Sequence, residues 1–294
     1  QVRQEKAKKY AKARRNLNLA DLALGGILLL LLVLSDLSLR LRGLLALPVV
    51  PAASIYFIML MAAYTVLSAP VSYYRGFILP HRYGLSIQNF TSWLGDKAKA
   101  GVISLALGAG MIALVYWLIT SFPQLWWLVS WGVIILLSLI LTNLAPIIIV
   151  PLFFKMKPLA DTDLRLRLEQ LAQRAGTRVR GIYAIEFSSK ATTANAALMG
   201  LGNTKRIVLS DTLLQRYIPP EIEVITAHEL GHHLHRDTFR LLVIQSAIWL
   251  IGFYIAHLTL KASVAPLGFN NISDIAALPL LMLIFATFSL LVAP

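Results

Sequence analysis

The sequence predicts an α-helical polytopic membrane protein with about six spans and one small inserted α+β unit. Two observations lead to this fold class. Apolar residues make up 57% of the 294 residues, and the mean hydropathy is +0.70, whereas soluble domains are usually about 45–50% apolar. These apolar residues form long runs on both sides of one stretch, residues 151–237, that has an ordinary soluble composition.

Charge and cysteine content narrow the possible functions. A net charge of +13 in a soluble protein would favour nucleic acid or an anionic surface as the partner. Here much of the charge lies in residues 1–16, which we expect to be a solvated, basic cytoplasmic tail, and we expect no nucleic-acid partner. The chain has no cysteine, so disulfides, thiolate metal ligands and cysteine nucleophiles are excluded.

Residues 17–150 are predicted to form a membrane domain with four spans. The first apolar run, Leu22 to Leu34, is short but can cross a bilayer if it continues to Leu39. The next three runs are Pro51 to about Tyr74, Ala100 to Phe122, and Leu125 to Val150. Three tryptophans near the start of the fourth run are predicted to be interfacial anchors: Trp126, Trp127 and Trp131.

The inserted unit, residues 151–237, shows alternating helix and strand signals. Asp161 or Asp163 can cap a helix that ends near Gly176, and Asp211 can cap a later short helix. Three strands are predicted, the last two forming a hairpin: Gly181 to Phe187, Ala194 to Met199, and Lys205 to Ser210. Residues 238–294 then supply two further spans, Leu241 to Leu260 and Ile275 to Val292.

The positive charges predict the orientation of this unit. If the spans alternate, 24 of the 27 Lys and Arg residues fall on the side of the N-terminal tail. Only Arg40, Arg42 and Lys261 fall on the other side. Because cytoplasmic loops are enriched in Lys and Arg, we expect the inserted unit to face the cytoplasm.

One short stretch, Ala227-His228-Glu229-Leu230-Gly231-His232-His233, carries the chemistry. It contains His-Glu-x-x-His, and on a helix His228 and His232 share one face, where both imidazoles can bind a single zinc ion. Glu229 would then lie beside the open coordination position as a general base. Pro219, Pro220 and the acidic residues after them are typical of a helix start. The alternative is a histidine cluster that serves only packing.

A catalytic zinc site needs a third protein ligand. His235 lies about 10.5 Å along the helix from His228, too far to share an ion. Asp237 would point to the opposite side of the helix, and Asp274 is predicted to lie across the membrane. By elimination, we expect the third ligand beyond Pro294, in a C-terminal continuation.

The chain resembles the type I CAAX prenyl endopeptidases, which are integral-membrane zinc metalloproteases, and more distantly their shorter heat-shock membrane protease relatives. The resemblance covers nearly all of the chain. The segments that carry it are Leu79-Pro80-His81-Arg82-Tyr83-Gly84-Leu85-Ser86, Trp93-Leu94-Gly95-Asp96-Lys97, Pro151-Leu152-Phe153, Ala194-Asn195-Ala196 with Gly200-Leu201-Gly202, Thr204-Lys205-Arg206-Ile207-Val208-Leu209, Asp211-Thr212-Leu213-Leu214, and Ala227-His228-Glu229-Leu230-Gly231-His232.

The resemblance implies a gluzincin-like zinc protease unit. His228 and His232 would be zinc ligands, Glu229 the general base, and the third ligand a glutamate shortly after the last span. Gluzincins generally hold substrate as an added strand, with backbone groups near an Asn-Ala pair, so Asn195 and Ala196 are the candidate substrate-binding residues. A hairpin strand that merely ends near the site is the alternative for this pair.

We therefore expect a membrane-embedded zinc metalloendopeptidase that acts on CAAX-type or membrane-protein substrates. It would lie in a bacterial inner membrane or the endoplasmic reticulum, with its active site facing the cytoplasm. The alternatives are a binding or transport module that has kept the fold without the chemistry, and a membrane scaffold.

Overall fold

The structure, a computed structural model, describes residues 2–200, 204–234 and 237–292, and the side chains of these residues except 2, 3, 232–234 and 237–239. Within this part of the chain, six helices are long and apolar enough to cross a membrane, which confirms the predicted fold class. They are Gln4–Leu34, Val49–Arg82, Phe90–Ser121, Trp126–Phe153, Arg240–Ser263 and Ile275–Val292.

The chain divides into two compact units. The membrane unit consists of the chain up to Tyr83, Trp93–Val133, and the chain from Ser246 onward. The sheet unit consists of Gly84–Ser92 and Ile134–Gln245. It therefore includes two stretches that flank the soluble segment 151–237, one of them the second half of a membrane-length helix.

The helices that precede the sheet are numbered α1 to α7 in chain order. They are α1 Val2–Leu34, α2 Leu37–Leu44, α3 Val49–Tyr73, α4 Leu79–Arg82, α5 Phe90–Ser121, α6 Trp126–Leu144 and α7 Val150–Phe153. Two π-helical turns, Tyr74–Ile78 and Ala145–Ile149, join α3 to α4 and α6 to α7. The second and third spans are longer than predicted, because the second helix continues past Arg75 to Arg82 and the third begins at Phe90, before Asp96, Lys97 and Lys99.

The first helix does not begin at the apolar run. α1 is continuous from Val2, so the basic stretch predicted as a tail is helical and extends the first span. Its half-buried positions recur every three or four residues at Tyr10, Ala13, Leu17 and Asp21. The rings of Tyr10 and Tyr83 meet edge to face at 5.3 Å between centroids. One side of the extension is therefore packed against the membrane unit.

Buried polar contacts close one end of the membrane unit. The carboxylate of Asp274 accepts hydrogen bonds from Arg42 and from the backbone nitrogens of Asn270 and Ala276. Ser38 Oγ lies 2.8 Å from the hydroxyl of Tyr56 and donates to the carbonyl of Ala276 at 2.7 Å. These contacts tie α2 and α3 to the 3-10 turn Ile275–Ala277, which leads into α12, Leu278–Val292.

Two pairs of spans approach closely at a glycine. A Cβ atom built on Gly108 of α5 would lie 2.7 Å from the ring of Phe57 in α3. One built on Gly252 would lie 2.7 Å from the ring of Phe288 in α12. Gly252 belongs to α11, Asp237–Ser263. A Cβ atom at either position would require the ring to shift, so glycine permits the close approach of each helix pair.

The prediction that Trp126 is an interfacial anchor is wrong. Its side chain is fully buried, packs edge to face on Phe253, and donates a hydrogen bond from Nε1 to His257 Nδ1 at 3.0 Å. Trp131 Nε1 donates to the carbonyl of Ser246 at 2.8 Å. A buried indole N–H requires a hydrogen-bond acceptor. Both acceptors belong to α11, so the two indoles join α6 to α11 inside the membrane unit.

Between Met156 and Leu234, leaving out 201–203, the described part of the sheet unit contains four strands and three helices. They are β1 Met156–Pro158, α8 Thr162–Arg174, β2 Gly181–Ile185, β3 Ala196–Met199, β4 Arg206–Ser210, α9 Asp211–Arg216 and α10 Pro219–Leu234. The strand order is β1-β2-β4-β3, in which β2 and β4 are parallel and both outer pairs are antiparallel. β1 was not predicted, because three residues that end in proline carry no alternating pattern.

The predicted helix and hairpin of this unit are present. Asp161 caps α8 by accepting a hydrogen bond from the backbone nitrogen of Leu164 at 3.0 Å. Strands β3 and β4 pair as a hairpin, and Gly200 leaves β3 at φ +93°, where an added Cβ would lie 2.7 Å from the carbonyl oxygen of Thr204. Residues 201–203 of the predicted turn lie outside the described residues.

One buried cluster joins the helices of the sheet unit to the sheet. Its members come from α8 and the loop before it, the central strands, α9 and α10, and are Leu159, Leu164, Leu168, Ala172, Ile182, Ile207, Leu209, Leu213, Ile222 and Leu230. On the surface next to it, Arg167 of α8 pairs with Asp163 at 2.9 Å and lies 3.6 Å from Glu223 of α10. Burial of the apolar cluster is the main contribution to holding α10 in place.

Asp211 does not cap α9 as predicted. Ser210 is the N-cap, and its Oγ accepts from the backbone nitrogen of Leu213 at 3.2 Å. The carboxylate of Asp211 instead accepts from the backbone nitrogens of Phe187, Ser188 and Thr212 and from the hydroxyl of Ser188. Burial alone would raise the pKa of Asp211, but these hydrogen bonds outweigh it and hold the pKa below its ordinary value.

We predict that Leu168→Ala destabilises the sheet unit by about 2–5 kcal/mol, because Leu168 is fully buried in the apolar cluster. Amide hydrogen exchange of β2 and β4, measured on the protein in detergent, should show the matching loss of protection. Leu166→Ala is the control, since Leu166 lies on the same helix and is 49% exposed. Equal effects of the two substitutions would contradict the assignment of this core.

We predict that Asp211 contributes stability that depends on pH. Because its native pKa is lowered from 3.8, the contribution is complete above that value and is lost as the pH falls through the native pKa. Asp211→Asn should lower the melting temperature by roughly 3–8 °C at pH 7. The difference from wild type should stay constant down to about pH 4 and shrink below it. A difference that grows on acidification would contradict this account.

Candidate active site

Helix α10 carries the His-Glu-x-x-His motif, and the burial of its residues shows which face of the helix packs on the sheet. Pro219 opens the helix, and Glu221 Oε2 accepts from the backbone nitrogen of Ile218 at 3.1 Å. Ile222, Thr226 and Leu230, each one turn apart, are buried toward the sheet. His228 and Glu229 lie outside this buried stripe.

The first two motif residues lie at different distances from the buried stripe. His228 is exposed, whereas Glu229 is half-buried at the edge of the stripe. The side chain of His232 lies outside the described residues, but α10 runs without interruption to Leu234. Positions 228 and 232 are therefore one turn apart on one continuous helix, as the sequence predicted.

Glu229 lies beside the sheet. It lines a narrow crevice between α10 and strands β3 and β4, together with Ala196, Ala197, Leu198, Ile207, Thr226 and Leu230. Thr226 Oγ1 is buried in this crevice without a hydrogen-bond partner among the described residues. The crevice brings the candidate base next to the strand that begins at Ala196.

Asn195 lies one residue before β3, and not within the strand as predicted. Its backbone is fixed on both sides by Ser210, because its nitrogen donates to Ser210 Oγ at 2.8 Å and its carbonyl accepts from Ser210 N at 2.9 Å. Ala196 is the first residue of β3 and pairs with Leu209. Since β3 is an outer strand of the sheet, only one of its sides pairs with β4.

The loop that leads to Asn195 is held by residues that sequence reasoning missed. Asp211 fixes Phe187 and Ser188, while Thr212 Oγ1 donates to the carbonyl of Thr193 at 2.8 Å. Lys190 Nζ donates to the carbonyl of Phe153 at 2.6 Å and lies over the ring of Phe154. The motif Asp211-Thr212 was visible in the sequence, but its partners lie about twenty residues earlier and leave no local signal.

The segment 84–92 holds the same loop from another direction. Ser86 pairs with Ala191 as an isolated antiparallel bridge, and the backbone nitrogen of Ile87 donates to the carbonyl of Lys190 at 3.3 Å. Thr192 Oγ1 donates to the carbonyl of Gly84 at 2.9 Å. The approach to β3 is therefore hydrogen-bonded on several sides, which fixes the position of Asn195 relative to the sheet.

The donor chemistry of α10 fits zinc, which accepts imidazole nitrogen and carboxylate oxygen ligands. His228 and His232 supply two such donors one turn apart, and the exposure of His228 leaves its ring accessible. Among the side chains that the structure describes, which exclude those of His232, His235 and Asp237, no three His, Asp or Glu residues converge. Asp274 is engaged by Arg42 in the membrane unit, which is consistent with its exclusion as a ligand.

Sequence models of two protein families match the chain. The model described as the CAAX prenyl protease N-terminal region with five membrane helices matches residues 1–155. The model of peptidase family M48 matches residues 158–293, which include α10. Together they cover almost all of the chain, and the first covers just over half of it.

Individual relatives agree with this assignment. An uncharacterized metalloprotease of Bacillus subtilis, YhfN, is 29% identical over 98% of this chain and 69% of its own length. CAAX prenyl protease 1 of Saccharomyces cerevisiae is 32% identical over 62% of this chain and 40% of its own length. The chain thus spans between two-fifths and about two-thirds of the length of these relatives.

A solved structure shares the fold. The crystal structure of S. mikatae Ste24p superposes with a TM-score of 0.77 at 22% sequence identity, covering 87% of this chain and 65% of that one. The family predicted from the quoted segments is therefore confirmed by sequence and by fold. From its matched family models, its relatives and its fold, the chain belongs to the CAAX prenyl protease family of membrane metalloproteases, within peptidase family M48.

Proposed function

We propose that this protein is a membrane zinc metalloendopeptidase whose active site is formed on α10 and β3. One observation carries the proposal: Glu229 shares a crevice with the outer strand that begins at Ala196, and His228 lies next to it on the same helix. A base, a metal-binding imidazole and a strand edge that can hold peptide thus occur together. Family membership supports the same conclusion.

His228 and His232 would hold the zinc ion. When bound, zinc supplies Lewis acidity for a water molecule and for the scissile carbonyl. Glu229 takes the proton from the attacking water and returns it to the nitrogen of the leaving amine. Its half-buried position at the crevice keeps the carboxylate beside the strand edge while His228 stays accessible.

The substrate would bind as an extended strand next to β3. Backbone N–H and C=O groups on the outer side of an edge strand are available for pairing with added peptide. Two hydrogen bonds with Ser210 hold the backbone of Asn195, and pairing with Leu209 holds Ala196, so the strand is ordered before substrate arrives. Backbone pairing is tolerant of side chains, so sequence selectivity must come from contacts elsewhere.

The proposed class of substrate rests on the location of the protein in a membrane. The protein is a multi-pass membrane protein, and the distribution of Lys and Arg supports a cytoplasmic orientation of the sheet unit. We propose that it cleaves peptides held at or near that surface, either CAAX-type peptides with a lipid attached near the C terminus or segments of membrane proteins. Both bring an extended chain to the membrane surface, where β3 could receive it.

Glu229→Gln should reduce kcat by about 10²- to 10⁴-fold because the amide cannot accept the proton. Zinc content and melting temperature should not change. Glu221→Gln is the matched control, since Glu221 lies two turns earlier on α10 and its contact with Ile218 needs only an oxygen acceptor. Cleavage of a fluorogenic peptide and metal analysis of the intact protein provide the two measurements.

His228→Ala and His232→Ala should each release zinc and abolish cleavage, whereas Glu229→Gln retains the metal. A protein that binds no zinc and cleaves no peptide would instead be a binding module or a scaffold with this fold. Cleavage by Glu229→Gln as fast as by Glu221→Gln would contradict the role of Glu229 as the base.

Peptide substrates methylated at single backbone nitrogens should reveal the added strand. Successive N–H groups of a strand point in opposite directions, so only every second one would bind β3. Methylation should therefore weaken peptide binding at alternate positions and have no effect at the positions between them. Each methylation that weakens binding should raise KM by roughly 3- to 10-fold through loss of one hydrogen bond. A uniform effect, or none, would show that the peptide is not held by strand pairing.

A further inference from the structure

A cavity of about 190 Å³ lies between α1, α3 and α12 in the membrane unit. Apart from the Tyr64 hydroxyl, its lining side chains are apolar; the lining residues are Gly25, Leu28, Leu29, Leu60, Met61, Tyr64 and Met282. All of these except Leu60 are half-buried, so the cavity opens on the surface of the unit. An apolar cavity of about 150 Å³ can hold benzene, so this one has room for part of an alkyl chain.

A polar cluster bounds the cavity on the side of the N terminus of α1. The hydroxyl of Tyr64 donates to Asp21 Oδ1 at 2.7 Å, and Arg75 Nη1 lies 2.7 Å from Asp21 Oδ2. Arg75 Nη1 also donates to Asn18 Oδ1 at 3.1 Å. Since Asp21 precedes Gly25 by one turn, or about 6 Å, the surroundings change from apolar to charged over that distance.

The charge next to this cluster is positive. Arg14, Asn18 and Gly25 lie on one stripe of α1, at spacings of four and seven residues. Arg14 is exposed and lies about 16 Å along the helix from Gly25. The Arg75 side chain stays 28% exposed although it pairs with Asp21. Arg14, Asp21 and Arg75 together carry one net positive charge.

We propose that α1, α3 and α12 form a binding site for an anionic phospholipid. One acyl chain occupies the cavity beside Gly25, and the headgroup faces Arg14, with Asn18 and Arg75 between them. The order of apolar, polar and cationic groups along α1 matches the order of chain, ester region and phosphate in such a lipid. A lipidated peptide could also fill an apolar cavity, but it lacks the phosphate that Arg14 would recognise.

Native mass spectrometry of the intact protein in detergent tests this site with phosphatidylglycerol and phosphatidylcholine of equal chain length. Phosphatidylglycerol should bind about fivefold better, as expected for one additional favourable charge near the headgroup. Gly25→Leu, which places a side chain in the cavity, should lower its binding by roughly tenfold or more. Gly26→Leu is the control, because Gly26 does not line the cavity and a Cβ there meets no atom within 4 Å.

A second pair of variants tests the headgroup. Arg14→Gln should remove the preference for phosphatidylglycerol while leaving phosphatidylcholine binding unchanged. Lys12→Gln is its control, since Lys12 is also exposed but lies on the opposite side of α1. Met282→Phe fills the cavity from α12 and should lower phosphatidylglycerol binding as much as Gly25→Leu does. Because Met282→Phe leaves α1 unchanged, a matching loss shows that the effect of Gly25→Leu is not a folding defect in α1.

Three results would overturn the proposal: equal binding of the two lipids, unchanged lipid binding in both filled variants, or equal losses in Gly25→Leu and Gly26→Leu. Displacement of the bound lipid by a prenylated peptide, with no dependence on Arg14, would also overturn it, because the cavity would then belong to the substrate.

Discussion

The burial of one stripe of α10 against the sheet is the constraint on which the candidate site depends. Ile222 and Leu230 belong to the same apolar cluster as Ile207 and Leu209 of β4. Because this cluster fixes the rotation of α10, it also fixes which motif residue is exposed and which lies beside the strand. The chemistry proposed for His228 and Glu229 therefore depends on apolar contacts made by Ile222 and Leu230.

Much of this arrangement follows from local sequence. The helix start at Pro219, the His-Glu-x-x-His spacing and the cap at Asp161 each require only neighbouring residues, and all three are present. The six spans could be predicted for the same reason, since an apolar run of sufficient length needs no partner to identify it. The family resemblance added the proposed role of Asn195 and Ala196, which no local pattern would have indicated.

The features that sequence reasoning missed depend on distant partners. Trp126 is buried because His257, far along the chain, accepts its N–H hydrogen bond. Asp211 was predicted to cap a helix, but its carboxylate accepts hydrogen bonds from the backbone nitrogens of residues 187 and 188 and so anchors a loop. Asn195 lies outside β3 because Ser210, the cap of α9, also binds its backbone. In each case a long-range hydrogen bond overrides the local preference.

The close approaches at Gly108 and Gly252 have a consequence for how the membrane unit associates. Lipid tails are as apolar as leucine side chains, so nothing drives the spans together except shape and a few polar contacts. Phe57 and Phe288 fit against bare backbone, and such contacts weaken steeply when helices tilt or separate. A bilayer of different thickness, which changes helix tilt, would therefore loosen these two contacts.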